Sequence, residues 1–237
     1  MIVRSKWGTL LRVNDVDVWL ADLDALPPTL EDWSVLSPDE VERAHRFRFD
    51  RHRNRFVRCR ALLRQLIAES IRGNAAAIAF RYGTHGKPEL DEIHFNVSHS
   101  ENLAAIALTR ERPVGIDVEA IDATREVVSL ARTAFSPTER AAFSAMTSEQ
   151  QIAAFFRGWT RKEAYLKLLG TGFSLSPESF TVSLAEEPLS FIEDYALRDL
   201  DVPTGFACAI ATARDCAVRV RWKVPAGEEN PRSRNRE

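Results

Sequence analysis

The chain has 237 residues, of which 45% are hydrophobic and 28% charged, and its formal net charge is −2. This is the composition of an ordinary globular protein with one large domain or two of about 110–120 residues each. The small net charge argues against broad nucleic-acid binding. Three cysteines without a C-x-x-C pair indicate neither a disulfide framework nor a zinc site, so we expect them to be structural. The sequence has no signal-like segment and no apolar run of membrane-spanning length, and we expect a cytoplasmic protein without a membrane partner.

The first part of the chain predicts a strand followed by a long helical region. Residues 12–23 alternate well enough to be a strand. Ser37, Pro38 and Glu40 form a helix start, with Ser37 as the N-cap and Glu40 closing a capping box. The helical region extends to about Arg72.

This helical region is rich in basic side chains. They are Arg43, His45, Arg46, Arg48, Arg51, Arg53, Arg55, Arg58, Arg60 and Arg64. A basic helix face is often only solvated. So many arginines in a net acidic chain nevertheless favour contact with phosphate groups or with an acidic protein.

A lysine-bearing turn and two strands follow. Residues 82–88 form the turn, residues 95–100 a short strand that ends in a polar corner, and residues 103–108 an apolar strand. Ser98 and His99 could be the nucleophile and base of a hydrolase, but neighbours on a strand face opposite sides and no G-x-S-x-G elbow is present. We expect them instead to donate hydrogen bonds to phosphate, with a histidine satisfied within its turn as the alternative.

We expect two halves, joined at residues 111–113, and a tail. The first half, residues 1–112, carries the basic helix; the second, residues 113–224, carries an acidic site; the tail, residues 225–237, is predicted to be disordered. In the second half we expect a strand at 114–119, helices at about 124–133, 137–145 and 148–169, and strands near 179–184, 189–195, 205–212 and 216–223. Ser136 and Glu139 cap the second of these helices, and residues 170–172 end the third. The fold class is therefore α+β.

Two acidic segments point to a shared metal ion. Asp117 and Glu119 lie on the same face of a strand because side chains alternate along it. Glu163 falls within the apolar stripe of helix 148–169, where an ionised carboxylate is costly unless a positive charge compensates it. Three carboxylates without histidine or cysteine form a hard ligand set that suits Mg²⁺. The alternatives are a solvated strand face and a surface Glu–Lys pair.

Together these segments resemble the 4′-phosphopantetheinyl transferases of the Sfp type. The matching segments are residues 86–88, 95–100, 114–119, 135–139, 159–167 and 170–172, in the family order. The resemblance implies two similar α+β halves related by a pseudo-twofold axis, with coenzyme A in the cleft between them. It also implies a magnesium-dependent, monomeric enzyme of the holo-[acyl-carrier-protein] synthase type. Such an enzyme transfers 4′-phosphopantetheine from coenzyme A to a serine of an apo acyl or peptidyl carrier protein and releases adenosine 3′,5′-bisphosphate.

The resemblance assigns a role to each matching residue. Mg²⁺ would be held by Asp117, Glu119 and Glu163. Phosphate oxygens would be contacted by Lys87, Ser98, His99 and Lys167, and the adenine pocket would be shaped by Gly86 and Pro88. Either Glu163 or a metal-bound water would take the serine proton, and Lys167 would stabilise the developing charge.

The sequence departs from the family pattern at one position. Glu40 stands where the surfactin-type enzyme has a lysine, so Arg43, Arg46 or Arg55 is expected to bind the 3′-phosphate of coenzyme A. We expect the carrier protein to dock on an apolar surface around residues 135–143.

Two other functions remain open at this stage. A magnesium-dependent phosphodiesterase would use water in place of the carrier serine. A catalytically silent nucleotide-binding regulator is disfavoured because Asp117, Glu119, Glu163 and Lys167 are all intact.

Overall fold

The computed structural model describes residues 15–83, 88–170, 174–187 and 189–223. Its helices are α1 (Leu30–Ser34), α2 (Pro38–His45), α3 (Asp50–Ile71), α4 (Val127–Ala134), α5 (Pro137–Ser144) and α6 (Ser148–Leu169). Its strands are β1 (Asp15–Asp22), β2 (Arg81–Tyr82), β3 (Pro88–Glu89), β4 (His94–Ser100), β5 (Leu103–Thr109), β6 (Gly115–Ala120), β7 (Leu189–Ile192), β8 (Tyr195–Asp199), β9 (Phe206–Ala213) and β10 (Ala217–Trp222). The predicted α+β class is confirmed.

Within the described ranges, two four-stranded sheets form the centre of the molecule. The first sheet has the order β10-β1-β5-β4, and the second has the order β6-β9-β8-β7. Neighbouring strands are antiparallel except for β1 and β10, which run parallel. The last strand of the second half thus completes the sheet of the first half.

The sheets pack face to face, with one long helix on the outside of each. Alternate residues of β1 and β6, among them Val16, Val18, Ile116 and Val118, meet in the core between the sheets. Helix α3 covers the outer face of the first sheet, and α6 covers the outer face of the second. Both helices are 22 residues long, so the two halves are built from similar parts.

The predicted helix boundaries depend on local signals and are largely confirmed. The N–H of Ser37 donates to Glu40 at 3.0 Å, and that of Ser136 donates to Glu139 at 2.6 Å, as in the predicted capping boxes. Helix α6 has the predicted bounds and ends at Gly170, whose φ of 67° lies in the left-handed region that glycine tolerates. The helical region predicted up to Arg72 is divided, because α2 ends at His45 and α3 begins at Asp50.

Two strand predictions in the second half need correction. The strand expected at 179–184 is absent from the described residues, since the backbone there bonds to a buried ion pair. Val182 N–H donates to Glu139 at 2.6 Å, and Lys162 Nζ donates to the carbonyl of Phe180 at 2.6 Å. The single strand expected at 189–195 is two strands, β7 and β8, joined by a turn in which Glu193 has a φ of 49°.

All three cysteines are free and buried, which agrees with the predicted structural role. None of the helices in the described ranges is long and apolar enough to cross a membrane. The tail predicted to be disordered, residues 225–237, lies outside the described residues.

Candidate active site between the two sheets

The two sheets meet where β4 runs beside β6, and side chains of β4 form the bridge. Asn96 Oδ1 accepts a hydrogen bond from a backbone N–H of β6 at 2.8 Å. Ser98 Oγ donates to Asp117 Oδ1 at 2.9 Å, and Ser100 Oγ donates to Glu119 Oε2 at 3.0 Å. Because these three residues alternate along β4, they all face β6. The bridge therefore holds both carboxylates of the acidic strand at the junction between the halves.

Gly115 lets helix α6 approach β6 closely. A Cβ atom at this position would lie 2.0 Å from the carbonyl oxygen of Ala164 and 2.4 Å from the backbone nitrogen of Leu168. No side chain fits there unless the backbone of the helix moves. The close approach brings Glu163 and Lys167, on the same stretch of α6, next to Asp117.

Asp117 is the most buried of the three predicted metal ligands. Lys167 Nζ donates to Asp117 Oδ1 at 2.6 Å and to Ser98 Oγ at 3.1 Å. Burial raises the pKa of Asp117 above its usual range, and the nearby ammonium of Lys167 offsets part of this rise. The second oxygen, Oδ2, is buried and has no hydrogen-bond partner among the described residues. A buried carboxylate oxygen without a partner is unfavourable, so this atom is suited to receive a cation.

Glu163 is only half-buried, yet it interacts electrostatically with Asp117 and its neighbours. Burial raises its pKa, the negative charges of Asp117 and Glu119 raise it further, and Lys167 lowers it. The structure thus brings together the three carboxylates and the lysine that the sequence singled out.

The oxygen atoms of Asp117, Glu119 and Glu163 determine whether this cluster can bind a metal ion. No group of three His, Cys, Asp or Glu side chains in the described ranges is already arranged as a metal site. The ammonium of Lys167 occupies one oxygen of Asp117, Oδ1, which leaves Oδ2 for a cation. The unpartnered Oδ2 and the all-oxygen donor set do fit a hard divalent cation.

The predicted phosphate contacts lie in different surroundings. Ser98 is buried and bonded to Asp117, whereas His99 is exposed, as expected for neighbours on a strand. Desolvation lowers the pKa of His99, and the positive charges of Lys167 and several arginines lower it further. Because the side chain is exposed, its desolvation is only partial and these cations matter as well. Pro88 begins β3 and is half-buried; Gly86 and Lys87 lie outside the described residues.

The three arginines proposed for the 3′-phosphate differ in availability. Arg55 is buried and donates twice to Asp24, at 2.8 and 2.6 Å, and once to Glu101 at 2.9 Å. Arg46 is exposed and pairs with Glu42. Arg43 is exposed, and its guanidinium carbon lies 5.2 Å from the centroid of the Phe56 ring. Of these three, Arg43 is the one without an ion pair among the described residues.

Glu40, the position that departs from the family pattern, is buried and structural. Its Oε2 accepts hydrogen bonds from Arg64 Nε at 2.6 Å and from the N–H of Ser37 at 3.0 Å. The capping box predicts the second contact, but nothing local in the sequence predicts the first, which joins residues 24 positions apart.

The expected carrier-docking surface at residues 135–143 is wrong. Phe135 is fully buried and Phe143 is 2% exposed, because both pack against Phe155 and its neighbours on α6. The exposed large apolar side chains nearest in sequence are Val128 and Leu130 of α4. Phe156 belongs to the same core cluster, and Trp159 packs against it.

Comparisons with known proteins agree with this arrangement. Residues 27–111 match the family model described as 4′-phosphopantetheinyl transferase, N-terminal, and residues 113–211 match the 4′-phosphopantetheinyl transferase superfamily. The chain is 35% identical over 209 residues to the 4′-phosphopantetheinyl transferase HetI of a Nostoc species, covering 84% of this chain and 88% of that protein. It is 29% identical over 190 residues to the 4′-phosphopantetheinyl transferase Sfp of Bacillus subtilis, covering 76% of this chain and 83% of that protein. A phosphopantetheinyl transferase of a Thraustochytrium species is 29% identical over 223 residues, with 82% and 77% covered.

The two sheets, the acidic junction between them and these relatives define a group-transfer enzyme. The chain belongs to the 4′-phosphopantetheinyl transferase family, whose members move phosphopantetheine from coenzyme A to carrier proteins.

Proposed function

We propose that this chain transfers 4′-phosphopantetheine from coenzyme A to the serine of an apo acyl or peptidyl carrier protein, as a holo-[acyl-carrier-protein] synthase. The single observation that best supports this reaction is the junction of β4, β6 and α6. There Ser98, Asp117 and Lys167 form one hydrogen-bonded group, and the carboxylates of Glu119 and Glu163 interact with it. Such a group offers an ammonium to a pyrophosphate, together with carboxylates suited to hold a cation beside it.

The acidic side chains are the proposed magnesium ligands. Asp117, Glu119 and Glu163 would hold Mg²⁺, and the unpartnered Asp117 Oδ2 is the observation that supports this assignment. When bound, the ion would neutralise negative charge on the pyrophosphate of coenzyme A. Lys167, which donates to Asp117 in this structure, would donate to the phosphate oxygens of the substrate.

The remaining residues move a proton and orient phosphate. In the transfer, the carrier serine oxygen bonds to the phosphorus that carries pantetheine, and the bond to adenosine bisphosphate breaks. The serine proton passes to Glu163, whose carboxylate has no hydrogen-bond partner among the described residues, or to a water. Lys167 stabilises charge on the phosphoryl oxygens, and His99 donates to a phosphate of the substrate. The Ser98 hydroxyl has one proton, which it donates to Asp117, so it would exchange that bond to donate to phosphate as well. Gly86 and Pro88 would shape the adenine pocket, and Lys87 would contact phosphate oxygens.

The proposal has the enzyme act as a monomer. All side chains named for the acidic group come from one chain and already interact within it. The carrier protein supplies the only other polypeptide that the reaction needs.

Mass spectrometry of an apo carrier protein tests the reaction. After incubation with coenzyme A and Mg²⁺, the carrier should gain the mass of one phosphopantetheine while adenosine 3′,5′-bisphosphate accumulates. Release of the bisphosphate without a carrier would instead indicate a phosphodiesterase. Binding of coenzyme A without turnover on any carrier would indicate a silent regulator.

A further inference from the structure

Arg60 of helix α3 is held in an unusual position between two aromatic rings. Its guanidinium carbon lies 5.8 Å from the centroid of Phe56 and 5.7 Å from that of Phe80. The side chain is only 12% exposed, and its Nη1 atom is buried without a hydrogen-bond partner among the described residues. A buried guanidinium nitrogen that donates to nothing is costly, so a ligand that accepts from it would be bound favourably.

Arg60 shares its carboxylate with a second arginine. Glu40 lies 2.6 Å from Arg64 Nε and 3.3 Å from Arg60 Nε. Arg64 also donates to the carbonyls of Ala75 and Ile78. Arg60 therefore has the longer contact with Glu40, and its Nη1 is left without a partner among the described residues.

Arg60 belongs to a larger basic group. Arg43 lies over the same Phe56 ring at 5.2 Å, so both guanidinium groups are anchored to one aromatic side chain. Desolvation lowers the pKa of His99, and among the positive charges that lower it further are those of Arg43 and Arg60. His99 adjoins Ser98, which bonds to Asp117, so this basic group lies beside the acidic junction.

We propose that Arg60 binds the 3′-phosphate of coenzyme A together with Arg43, and so sets the preference for coenzyme A over its 3′-dephospho form. This inference rests on the proposed function. Glu40 is buried and negative, so it cannot contact phosphate; instead it orients Arg60 from behind through its carboxylate.

The location of Arg60 favours a contact with the 3′-phosphate rather than with the pyrophosphate. The pyrophosphate belongs beside Lys167 and Asp117, on the side of β4 that faces β6. Arg60 contacts Phe56 and Phe80, and Phe80 packs with Phe95 in the core between α3 and the first sheet. The first half of the chain would thus bind the 3′-phosphate, and Asp117 and Lys167 of the second half would lie beside the pyrophosphate.

The test compares two donors in the wild-type enzyme, Arg60→Gln and the control Arg58→Gln. Arg58 lies on the same helix and also pairs with a buried carboxylate, Asp32, at 3.0 Å. KM and kcat are measured with coenzyme A and with 3′-dephospho-coenzyme A, using an apo carrier protein. We expect Arg60→Gln to raise KM for coenzyme A by roughly ten- to a hundredfold, the range for one hydrogen bond to a charged group, and to leave KM for the dephospho form unchanged. The control should keep the wild-type preference.

Other outcomes overturn the inference. An equal rise in KM for both donors would show that Arg60 acts on the pyrophosphate or only on the fold, and no change would show that it does not bind nucleotide. If Arg60→Gln does not fold, as judged by its melting curve, Arg60→Lys retains the charge and should retain part of the preference. Calorimetric binding of both nucleotides gives the same comparison without turnover. A wild-type protein that binds coenzyme A more tightly than the dephospho form but transfers nothing would refute the proposed function and not the role of Arg60.

Discussion

At the level of single residues, the site is a balance between one ammonium and three carboxylates. Lys167 bonds to Asp117, and the two acids nearby carry negative charge that this lysine only partly offsets. Removing either sign of charge should therefore have a separate and measurable effect.

Lys167→Met should separate metal binding from catalysis. Loss of the ammonium frees Asp117 Oδ1, so binding of Mg²⁺ should be at least as tight as in the wild type. The rate of transfer should fall by about a hundredfold if Lys167 stabilises charge in the transition state. Metal titration by calorimetry and single-turnover transfer measure the two effects. A variant that turns over normally would reduce Lys167 to a structural partner of Asp117.

Glu163→Gln should stabilise the metal-free protein at neutral pH. Because the pKa of Glu163 is raised in the folded state, its ionised form is disfavoured there, and stability is lost as pH rises through the folded pKa. The substitution removes this penalty, so Tm in the presence of chelator should rise at pH 7, by about 2–4 °C for each kcal/mol gained. Below the ordinary carboxyl pKa of about 4.3 the difference should vanish, since the group is protonated in both states.

Melting curves of the wild type and Glu163→Gln, recorded in chelator from below pH 4.3 to pH 7, measure this difference in Tm. A gain in Tm that is independent of pH would come from packing and not from charge. The same variant should bind Mg²⁺ less tightly than the wild type, and unchanged affinity would place the third metal ligand elsewhere.

The sequence identified the acidic residues well and their partners poorly. Alternation in β6 placed Asp117 and Glu119 on one face, and the apolar stripe of α6 made Glu163 stand out. The bond from Ser98 to Asp117 needs β4 beside β6, and the ion pairs of Arg55 join residues 31 and 46 positions apart. Contacts of this kind come from tertiary packing, so no local pattern predicts them.

At the level of elements, the crossing of α6 over β6 sets the geometry of the site. Gly115→Ala should be destabilising by roughly 1–3 kcal/mol, because the added methyl meets helix backbone that has to shift. Movement of α6 would also displace Glu163 and Lys167, so transfer should fall along with stability. Urea unfolding and single-turnover kinetics measure both.

Gly158→Ala is the matched control for this crossing. A Cβ there would lie 2.4 Å from Leu184 Cδ2 and 2.9 Å from Phe135 Cζ, which are the ends of side chains. Those ends can adjust without moving the helix axis, so transfer by the folded variant should be close to that of the wild type. Equal losses of activity in the two variants would mean that the approach at Gly115 has no special role.

The elements themselves were predicted where short-range chemistry decides them. Capping boxes and Gly170 gave the ends of α5 and α6, since those contacts lie within four residues. The prediction of a strand at 179–184 was wrong because a buried ion pair, Glu139 and Lys162, forms hydrogen bonds with this backbone. In a strand, the same backbone groups would bond to a neighbouring strand. A pattern of alternating residues does not show such competition.

At the level of the whole molecule, a net acidic chain carries a concentrated basic face. Exposed arginines gather at the corner between α2 and α3, among them Arg46, Arg48 and Arg51. We expect an acidic carrier protein to be drawn to this face, so that added salt raises KM for the carrier more than KM for coenzyme A. The Debye length falls from about 10 Å at 0.1 M to about 3 Å at 1 M, which weakens exposed pairs most.

Steady-state kinetics at several salt concentrations, with each substrate varied in turn, measure this difference. A charge reversal at the exposed Arg48 should reduce the salt dependence of the carrier KM, whereas reversal at Arg72, on the far end of α3, should not. Equal salt dependence for both substrates would contradict electrostatic docking.

The pairing of β10 with β1 also constrains how the protein is made. During synthesis β1 emerges from the ribosome about two hundred residues before its parallel neighbour β10, since Asp15 pairs with Ala217. One edge of β1 must remain unpaired, or be shielded by other parts of the chain, while those residues are made. The first sheet to begin is therefore the last to be completed, and a nascent chain stalled before residue 217 would expose a strand edge open to aggregation.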